Sequence, residues 1–442
     1  MPNSTPEAAN QIAMLADSAT ALAHRGDKTA AETIYRKLLD AAPYHLQALM
    51  FLAMRAFERG DAAQSQELLK RAVQVDPKRA MLYQNLGIVY RAQGLAEQAL
   101  EAFNRAIALQ PGYVVALLHQ GALLDKLGRE PEALASYRQA LACMQPPAAE
   151  TLRDSSTPAP IREMLTHAVD FVREHINAIT AQHLEPVTQR HGDAALVNIQ
   201  AAASLLAGGP GAPGYAHALQ RPAYLYVPGI EPRPFFERTQ FAWAPALEAC
   251  TAAILAEAEA VLASEAGLEP YVDIDVRTDP QQWRELNHSS QWNSFHLLRG
   301  GKIQNDNAAR CPATMQALGQ LPLPQIPGHT PEAFFSILRP GTHIPSHYGL
   351  GNYKLVVHLP LVVPQDCAIR VGHETRGWSA GQCLIFDDSF QHEAWNRSQE
   401  RRVVLITEIW NPLLSAAECD GVTALVAALA AINRGTPSGH GA

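Results

Sequence analysis

FSILRPGTHIPSH, residues 335–347, decides the fold of this chain, because an apolar run and an Arg-Pro-Gly turn lead into a second run with two histidines. Further short runs rich in β-branched and aromatic residues come after it. They are residues 354–363, 367–371, 382–386 and 402–410. Turn residues such as Gly372, Gly381 and Asn396 separate them. Several strands at short spacing without intervening helices predict an antiparallel barrel or jelly roll.

The alternation of side chains along two of these strands places chemically capable residues on shared faces. Alternate residues of a strand face the same side of a sheet. Lys354, Val356 and His358 are therefore predicted to share one face. Arg402 shares a face with Val404 and Ile406 by the same rule.

His347 and His392 are candidate metal ligands. Imidazole suits iron, zinc, copper and nickel alike, so two histidines do not name a metal. Non-haem iron oxygenases use two histidines and one carboxylate. The carboxylate then lies two residues after the first histidine, where this chain has Gly349. Taken alone, this glycine counts against an oxygenase.

Several of these residues have a simpler structural interpretation. A histidine in an apolar strand, such as His358, is more often a core residue bonded to the backbone. Asp387 and Asp388 end a strand, where turn capping is preferred over the alternative of a displaced carboxylate ligand. Trp292 is expected to pack in the core, although it is also a candidate to line a substrate cleft.

A set of motifs resembles the aspartyl/asparaginyl β-hydroxylases, which are iron(II)- and 2-oxoglutarate-dependent dioxygenases with a double-stranded β-helix. The motifs are Ser336–His343, His347-Tyr-Gly349, Leu355–Leu359, Ile369-Arg370, Glu374-Thr375, Trp378, Leu384–Phe390, His392–Trp395 and Trp410-Asn-Pro412. The resemblance runs over most of residues 221–415. Members of this family are unusual in binding iron through two histidines with glycine in place of the carboxylate, so Gly349 supports the resemblance.

The resemblance implies a site with Fe(II), 2-oxoglutarate and O2 as its cofactors. It implies iron ligands at His347 and His392, and a 2-oxoglutarate pocket from Ser336, His358 and Arg402. The arginine role agrees with its chemistry, because a guanidinium pairs bidentately with a carboxylate and keeps its charge when buried. His347, His392 and Arg402 are therefore the expected catalytic residues.

The substrate side of the site departs from the family pattern. Family members that act on aspartyl residues have basic side chains on the strand after the first ligand. Here Lys354 keeps one such position, but Val356 stands where an arginine is expected. Loss of a charge-assisted bond, about 1.5–3 kcal/mol, would weaken recognition of an acidic side chain. Trp292, Lys354 and Arg370 are the candidate substrate-binding residues, and Arg339 or Arg370 is a candidate to compensate.

The first third of the chain repeats every 34 residues. Four series keep this interval: Gly26, Gly60, Gly94 and Gly128; Pro43, Pro77 and Pro111; Ala72, Ala106 and Ala140; and Tyr35, Leu69, Phe103 and Tyr137. The period resembles the tetratricopeptide repeat. Three full repeats are predicted from about residue 44 to 145, after a degenerate first unit. Such arrays form a groove that binds extended peptides or proteins, and a bound partner would be concentrated near the attached domain.

The predicted domains are therefore a repeat domain at residues 1–145, a helical connector at 146–220, a jelly-roll domain at 221–418, and a C-terminal helix and tail at 419–442. Helices are expected at residues 161–191, 244–265 and 424–433. Residues 208–214 are expected to be a flexible run and residues 434–442 a disordered tail.

Composition narrows the class of protein. The net charge of −8 gives no basic field that would favour nucleic acid. Six scattered cysteines without a CxxC pair indicate a reducing compartment, or at least the absence of a disulfide framework. The N-terminus lacks a basic segment followed by an apolar run, and no long apolar stretch is evident, so a secretory signal and a membrane span are not expected. A cytoplasmic location is therefore expected.

The function expected from sequence is hydroxylation of a β-carbon, in an Asp or Asn residue of a peptide or protein recruited by the repeats. One alternative is an enzyme that acts on a free or carrier-bound amino acid or another small molecule. The other is an inactive scaffold that binds partners through the repeats.

Overall fold

A computed structural model describes residues 6–145, 147–208, 214–274 and 281–433 of the chain. It divides into two compact units, with the boundary after His175 inside a long helix. The domain limits expected near residues 145, 220 and 418 stay predictions. The expected flexible run lies mostly outside the described residues, and the expected tail lies entirely outside them.

The first unit is built from helical hairpins. Its hairpin helices are α1 Pro6–His24, α2 Lys28–Ala41, α3 Leu46–Glu58, α4 Ala62–Val75, α5 Ala80–Ala92, α6 Ala96–Leu109, α7 Val114–Lys126 and α8 Glu130–Cys143. The turn glycines, from Gly26 to Gly128, all have positive φ between 70° and 82°. Glycine adopts this conformation without steric cost, so one glycine per turn is required. The predicted tetratricopeptide architecture is confirmed.

A fifth repeating position, which was not predicted from the sequence, fits the helices of each hairpin together. A Cβ atom added to Gly87 would lie 2.4 Å from the Phe103 ring, and one on Gly121 would lie 2.7 Å from the Tyr137 ring. Both aromatic rings are buried. The small residue therefore makes room for the large aromatic side chain of the partner helix.

The remaining helices surround the strands or precede them. They are α9 Ala148–Arg153, α10 Ala159–His191, α11 Val197–Leu206, α12 Ala244–Ala249, α13 Thr251–Ser264, α14 Asn305–Ala308, α15 Pro312–Leu318 and α16 Ala416–Asn433. The single helix expected at residues 244–265 is interrupted at Cys250, and the last helix begins eight residues earlier than expected.

Helix α16 is long and apolar enough to cross a membrane by length and composition. Its Val422, Leu425 and Leu429 are nevertheless buried in a cluster with Leu184 of α10 and Ile199 of α11. Burial of this apolar face against neighbouring helices is the behaviour of a core helix in a folded domain.

The strands form two antiparallel sheets. They are β1 Phe235–Phe236, β2 Glu269–Pro270, β3 Trp292–Arg299, β4 Lys302–Ile303, β5 Ala333–Leu338, β6 His343–His347, β7 Lys354–Val362, β8 Cys367–Val371, β9 Glu374–Gly377, β10 Leu384–Phe386, β11 His392–Asn396 and β12 Arg402–Trp410. The larger sheet has the order β1-β10-β7-β12-β5-β3-β2, with β4 beside β3, and the smaller has β6-β11-β8-β9. From β5 to β12 the chain passes back and forth between the two sheets, which confirms the double-stranded β-helix.

The larger sheet buries both faces. Leu355, Val357 and Leu359 of β7 join the core under α12, α13 and α15. Val356, between them, belongs instead to the apolar cluster between the sheets. The face shared by Lys354, Val356 and His358 therefore points toward the smaller sheet, as the alternation predicted.

Candidate active site

His347 and His392 are brought together across the smaller sheet. They are register partners at the end of β6 and the start of β11, and their ring centroids are 4.0 Å apart. A register shift between His392 and Ala394 accompanies this pairing. In a regular strand Ile344 and His347, three residues apart, would face opposite sides. The irregularity allows both to point between the sheets.

The hydrogen bonds of the two rings leave the same nitrogen free on each. Nδ1 of His347 lies 2.8 Å from the Pro345 carbonyl oxygen, and Nδ1 of His392 lies 2.9 Å from that of Phe390. A carbonyl oxygen only accepts, so Nδ1 carries the proton and donates. Nε2 of each ring then has its lone pair available for a metal ion.

The rings are held in the neutral form that binds metals. Burial lowers the pKa of His392 to about 4. Burial, and next the charge of His392, lower the pKa of His347 below its ordinary value. Neutral imidazoles can accept a metal ion without first releasing a proton.

Gly349 leaves no room for a third ligand from its own position. A Cβ atom there would lie 2.0 Å from Oδ2 of Asp388, and the Gly349 amide donates to the Asp388 carbonyl at 2.7 Å. Oδ1 of Asp388 is buried and has no hydrogen-bond partner among the described residues. Within the same residues, no group of three or more His, Cys, Asp and Glu side chains is placed to hold a metal. A metal bound here would have the two histidines as its protein ligands and its other positions open.

Asp387 and Asp388 differ in role. Asp387 accepts from the Ser389 amide at 2.9 Å and from Gln220 Nε2 at 3.0 Å, which confirms the expected turn capping. Burial raises the pKa of Asp387 to about 7. The side chain of Asp388 instead faces a cation, because its Oδ2 lies 3.6 Å from Lys354 Nζ.

Arg402 is a buried cation for which the described part of the chain provides no anionic partner. Its side chain is 1% exposed, and its Nε and Nη1 have no hydrogen-bond partner among the described residues. The guanidinium lies 4.9 Å from the centre of the Trp378 ring. Burial lowers its pKa to about 10. A buried, unpaired charge is costly unless a partner completes it. The arrangement therefore fits an anionic ligand.

Ser336 and His358 are fixed beside this cation by tryptophans. Trp292 Nε1 donates to Ser336 Oγ at 3.0 Å, and Trp378 Nε1 donates to His358 Nδ1 at 3.1 Å. Since indole only donates, His358 Nδ1 is unprotonated and Nε2 carries the proton. Burial, and next the charge of Arg402, lower the pKa of His358 well below its usual range. The expected backbone bond of a core histidine is replaced by this tryptophan bond.

The substrate residues expected from sequence lie in different environments. Trp292 lines the space between the sheets and stacks on Tyr271 at 4.1 Å. Lys354 is 2% exposed and bonded to Glu408. Arg370 pairs with Glu393 at 2.7 Å, on the face of β8 opposite to the inward Ile369 and Val371. The structure does not bring Arg370 together with the histidines.

Two further side chains near the site were missed from sequence. The Trp283 ring lies 5.1 Å from the His347 ring, and the Phe386 ring lies 5.8 Å from the His392 ring. Trp283 ends a short 3-10 helix, Gln281–Trp283, before β3, where no periodic pattern marks it. Phe386 ends a predicted strand and was readable only as an apolar residue.

Comparisons with known proteins agree with this geometry. Residues 248–412 match the family described as Aspartyl/Asparaginyl beta-hydroxylase, and residues 52–114 and 85–146 match Tetratricopeptide repeat. The Ornithine lipid ester-linked acyl 2-hydroxylase of Rhizobium tropici is 39% identical over 42% of this chain and 63% of its own length. Aspartate beta-hydroxylase domain-containing protein 2 of Xenopus tropicalis is 32% identical over 48% of this chain and 56% of its own.

The human Aspartyl/asparaginyl beta-hydroxylase is 38% identical over 29% of this chain and 17% of its own length. The chain thus spans less than two thirds of each of these relatives. The matched range of residues contains the central strands of both sheets, with the histidine pair and Arg402. Residues 248–412 are therefore similar to the hydroxylase domain of the aspartyl/asparaginyl β-hydroxylase family, and tetratricopeptide repeats precede them.

Proposed function

We propose that this chain is an Fe(II)- and 2-oxoglutarate-dependent dioxygenase that hydroxylates an unactivated C–H bond. The observation that carries the proposal is the buried guanidinium of Arg402, whose Nε and Nη1 have no hydrogen-bond partner among the described residues. It lies in the space between the sheets, where the histidine pair also points. A metal site alone would not need a buried cation. A metal-chelating dicarboxylate would explain both features.

His347 and His392 would hold iron through their Nε2 atoms. Two neutral imidazoles suit Fe(II) and leave positions for a bidentate cosubstrate and for O2. When bound, iron and its cosubstrate supply the oxidation: O2 gives one oxygen atom to the substrate, and 2-oxoglutarate leaves as succinate and CO2. The protein contributes binding, orientation and exclusion of water.

Arg402, His358 and Ser336 would hold the distal carboxylate of 2-oxoglutarate. The guanidinium can donate two parallel hydrogen bonds to a carboxylate. His358 Nε2–H is a donor because Trp378 occupies Nδ1, and the Ser336 hydroxyl can still donate while its oxygen accepts from Trp292. The neutral state of His358 keeps a second positive charge out of the pocket.

Two kinds of substrate are candidates for this reaction. The family resemblance favours the β-carbon of an Asp or Asn residue in a peptide or protein. The name of the Rhizobium tropici relative favours an acyl chain. The repeats support a recruited peptide or protein partner in either case, since a cavity of about 800 Å³ opens beside Met50, Phe51 and Met54 of α3. Recruitment would raise the local concentration of the target.

Anaerobic titration of Fe(II) into the full chain with 2-oxoglutarate tests the reaction class. A visible metal-to-ligand charge-transfer band should form in the wild type and be lost in His347→Ala and in His392→Ala. His343→Ala is the matched control, because His343 lies on the same strand but is exposed and bonded to Glu393. A band that survives both ligand substitutions would reject the site, and succinate release on admission of O2 would separate an enzyme from a scaffold.

A further inference from the structure

The charges around the histidine pair discriminate between the two kinds of substrate. Lys354 and Arg402 are the two buried lysine or arginine side chains among the described residues. The proposed function, on which this discrimination rests, assigns Arg402 to the cosubstrate. Of the residues that the structure describes, Lys354 is then the remaining buried cation that could meet a substrate carboxylate.

Lys354 is already neutralised by the protein. Its ammonium group bonds to Glu408 of β12 and lies 3.6 Å from Asp388 Oδ2. With both carboxylates ionised this group has a net charge of −1, and with Glu408 protonated it is neutral. Burial raises the pKa of Glu408. In neither state do these three side chains together offer an excess positive charge to an anion.

Val356 occupies the inward position next to Lys354 on the same strand. Its register partners are Phe386 on one side and Glu408 on the other. It belongs to the apolar cluster between the sheets, with Trp292, Ile344 and Phe386. Trp283 and Tyr271 border the same cluster. The residues packed beside the histidines on this side are therefore aromatic and aliphatic.

The other cations of the smaller sheet have anionic partners. Arg370 binds Glu393, and Arg376 binds Glu374 and Glu237. Both lie on strands of the smaller sheet, and their side chains are partly exposed. They cannot supply the charge that Val356 lacks without breaking these pairs.

We infer that the segment of substrate hydroxylated at this site is an uncharged acyl chain rather than an aspartyl side chain, and that Val356 determines this specificity. The reaction balances as C–H + O2 + 2-oxoglutarate giving C–OH, succinate and CO2. An aliphatic chain needs no hydrogen-bond or ion-pair partner from the residues around Val356. A carboxylate, in contrast, would be desolvated beside the Lys354, Glu408 and Asp388 side chains, whose net charge is zero or negative.

The test uses the full chain loaded with Mn(II) and 2-oxoglutarate for binding, and with Fe(II), 2-oxoglutarate and O2 for turnover. Calorimetry and product mass are recorded with four probes: 1-dodecanoylglycerol, N-dodecanoyl-Gly-Ala-amide, acetyl-Ala-Asp-Ala-amide and acetyl-Ala-Asn-Ala-amide. The two dodecanoyl probes distinguish a lipid source from an acylated peptide source of the same chain. At least one should bind 100-fold more tightly than the aspartyl peptide and gain one oxygen atom.

Val356→Arg should reverse the preference, with at least tenfold weaker binding of the acyl probe and measurable binding of the aspartyl peptide. Ile303→Arg is the control, because it adds the same charge at an exposed site of the same unit. If Val356→Arg does not fold, the comparison of probes on the wild type still decides. Hydroxylation of the aspartyl or asparaginyl peptide in preference to both acyl probes would overturn the inference while leaving the proposed reaction standing. Failure to bind 2-oxoglutarate at all would instead reject the proposed function.

Discussion

Replacement of Arg402 by methionine should stabilise the ligand-free chain and weaken its response to 2-oxoglutarate. Methionine keeps an apolar contact with the Trp378 ring, over which the guanidinium now lies, and removes the charge. The two effects have opposite signs because the same cation is costly when unpaired and favourable when paired. Loss of an ordinary structural arginine would lower stability in both states.

The burial of the guanidinium determines how much stability the substitution should add to the ligand-free chain. Its pKa falls from 12.5 to about 10. At pH 7 the side chain is charged in both the folded and the unfolded chain, so the full penalty of roughly 3 kcal/mol is present and would be relieved only above pH 10. The contact with Trp378 offsets part of it. We therefore expect Arg402→Met to raise the unfolding free energy of the ligand-free chain by about 2 kcal/mol.

The ligand-bound state should respond in the other direction. Loss of two charge-assisted bonds, at least about 3 kcal/mol, weakens 2-oxoglutarate binding by roughly 100-fold. At a ligand concentration of 100 times the wild-type Kd, the ligand should stabilise the wild type by about 2.7 kcal/mol but the variant by about 0.4 kcal/mol.

Urea unfolding with Mn(II), with and without 2-oxoglutarate, measures both quantities in one experiment. Arg401→Met is the control, since Arg401 is exposed beside the same strand and its loss should change neither. A variant that is less stable than the wild type without ligand, and is stabilised by 2-oxoglutarate as strongly as the wild type, would refute the reasoning.

Three further substitutions test the surroundings of the site by urea unfolding. Asp387 has a raised pKa, so its contribution to stability is full below pH 3.8 and is lost as pH rises to about 7. Between pH 5 and pH 8 the unfolding free energy of Asp387→Asn should therefore rise by roughly 3 kcal/mol relative to that of the wild type. A difference that does not change with pH would contradict this. Gly349→Ala should lower the free energy of unfolding by about 1–3 kcal/mol, because the added Cβ atom clashes with Asp388. The loss should be smaller in an Asp388→Ala background, and equal losses in both backgrounds would exclude the clash. Lys354→Met removes the cation bonded to the buried Glu408 and should lower the free energy of unfolding by about 3–5 kcal/mol at pH 7.5, with a smaller loss at pH 5, because burial raises the pKa of Glu408 and favours its protonation. A loss that does not become smaller at low pH would count against the ion pair.

The parts of the fold that depend on local periodicity could be predicted from the sequence. The 34-residue interval predicted the hairpins because four units repeat the same turn glycine and three of them the same buried alanine. The strands Cys367–Val371 and Arg402–Trp410 begin and end where they were expected, since turn residues bound them on both sides. Alternation along β7 also placed Val356 and His358 on the inward face.

Other features depend on residues far apart in sequence. Lys354 was expected to meet substrate, but its partner Glu408 is 54 residues away and could not be identified before the pairing of β7 with β12 was known. Arg370 was assigned to the site because its motif matches, yet alternation against Ile369 and Val371 turns it outward. Trp283 contacts His347 from a 3-10 helix of only 3 residues, which is too short for a periodic pattern to predict it.

The proposed site requires the two sheets to keep a fixed separation, because the histidine pair belongs to the smaller sheet and Arg402 to the larger. Asn396, at the end of β11, supplies one such link. Its side-chain amide donates to the carbonyl oxygens of Leu338 on β5 and Glu400 before β12, at 3.0 and 2.7 Å, and its oxygen accepts from the Ser398 amide. Leu338 is also the register partner of Arg402. Strand β11 therefore begins with one candidate iron ligand, His392, and ends with a hydrogen bond to the register partner of Arg402. This one strand fixes the distance between the two ends of the proposed 2-oxoglutarate pocket.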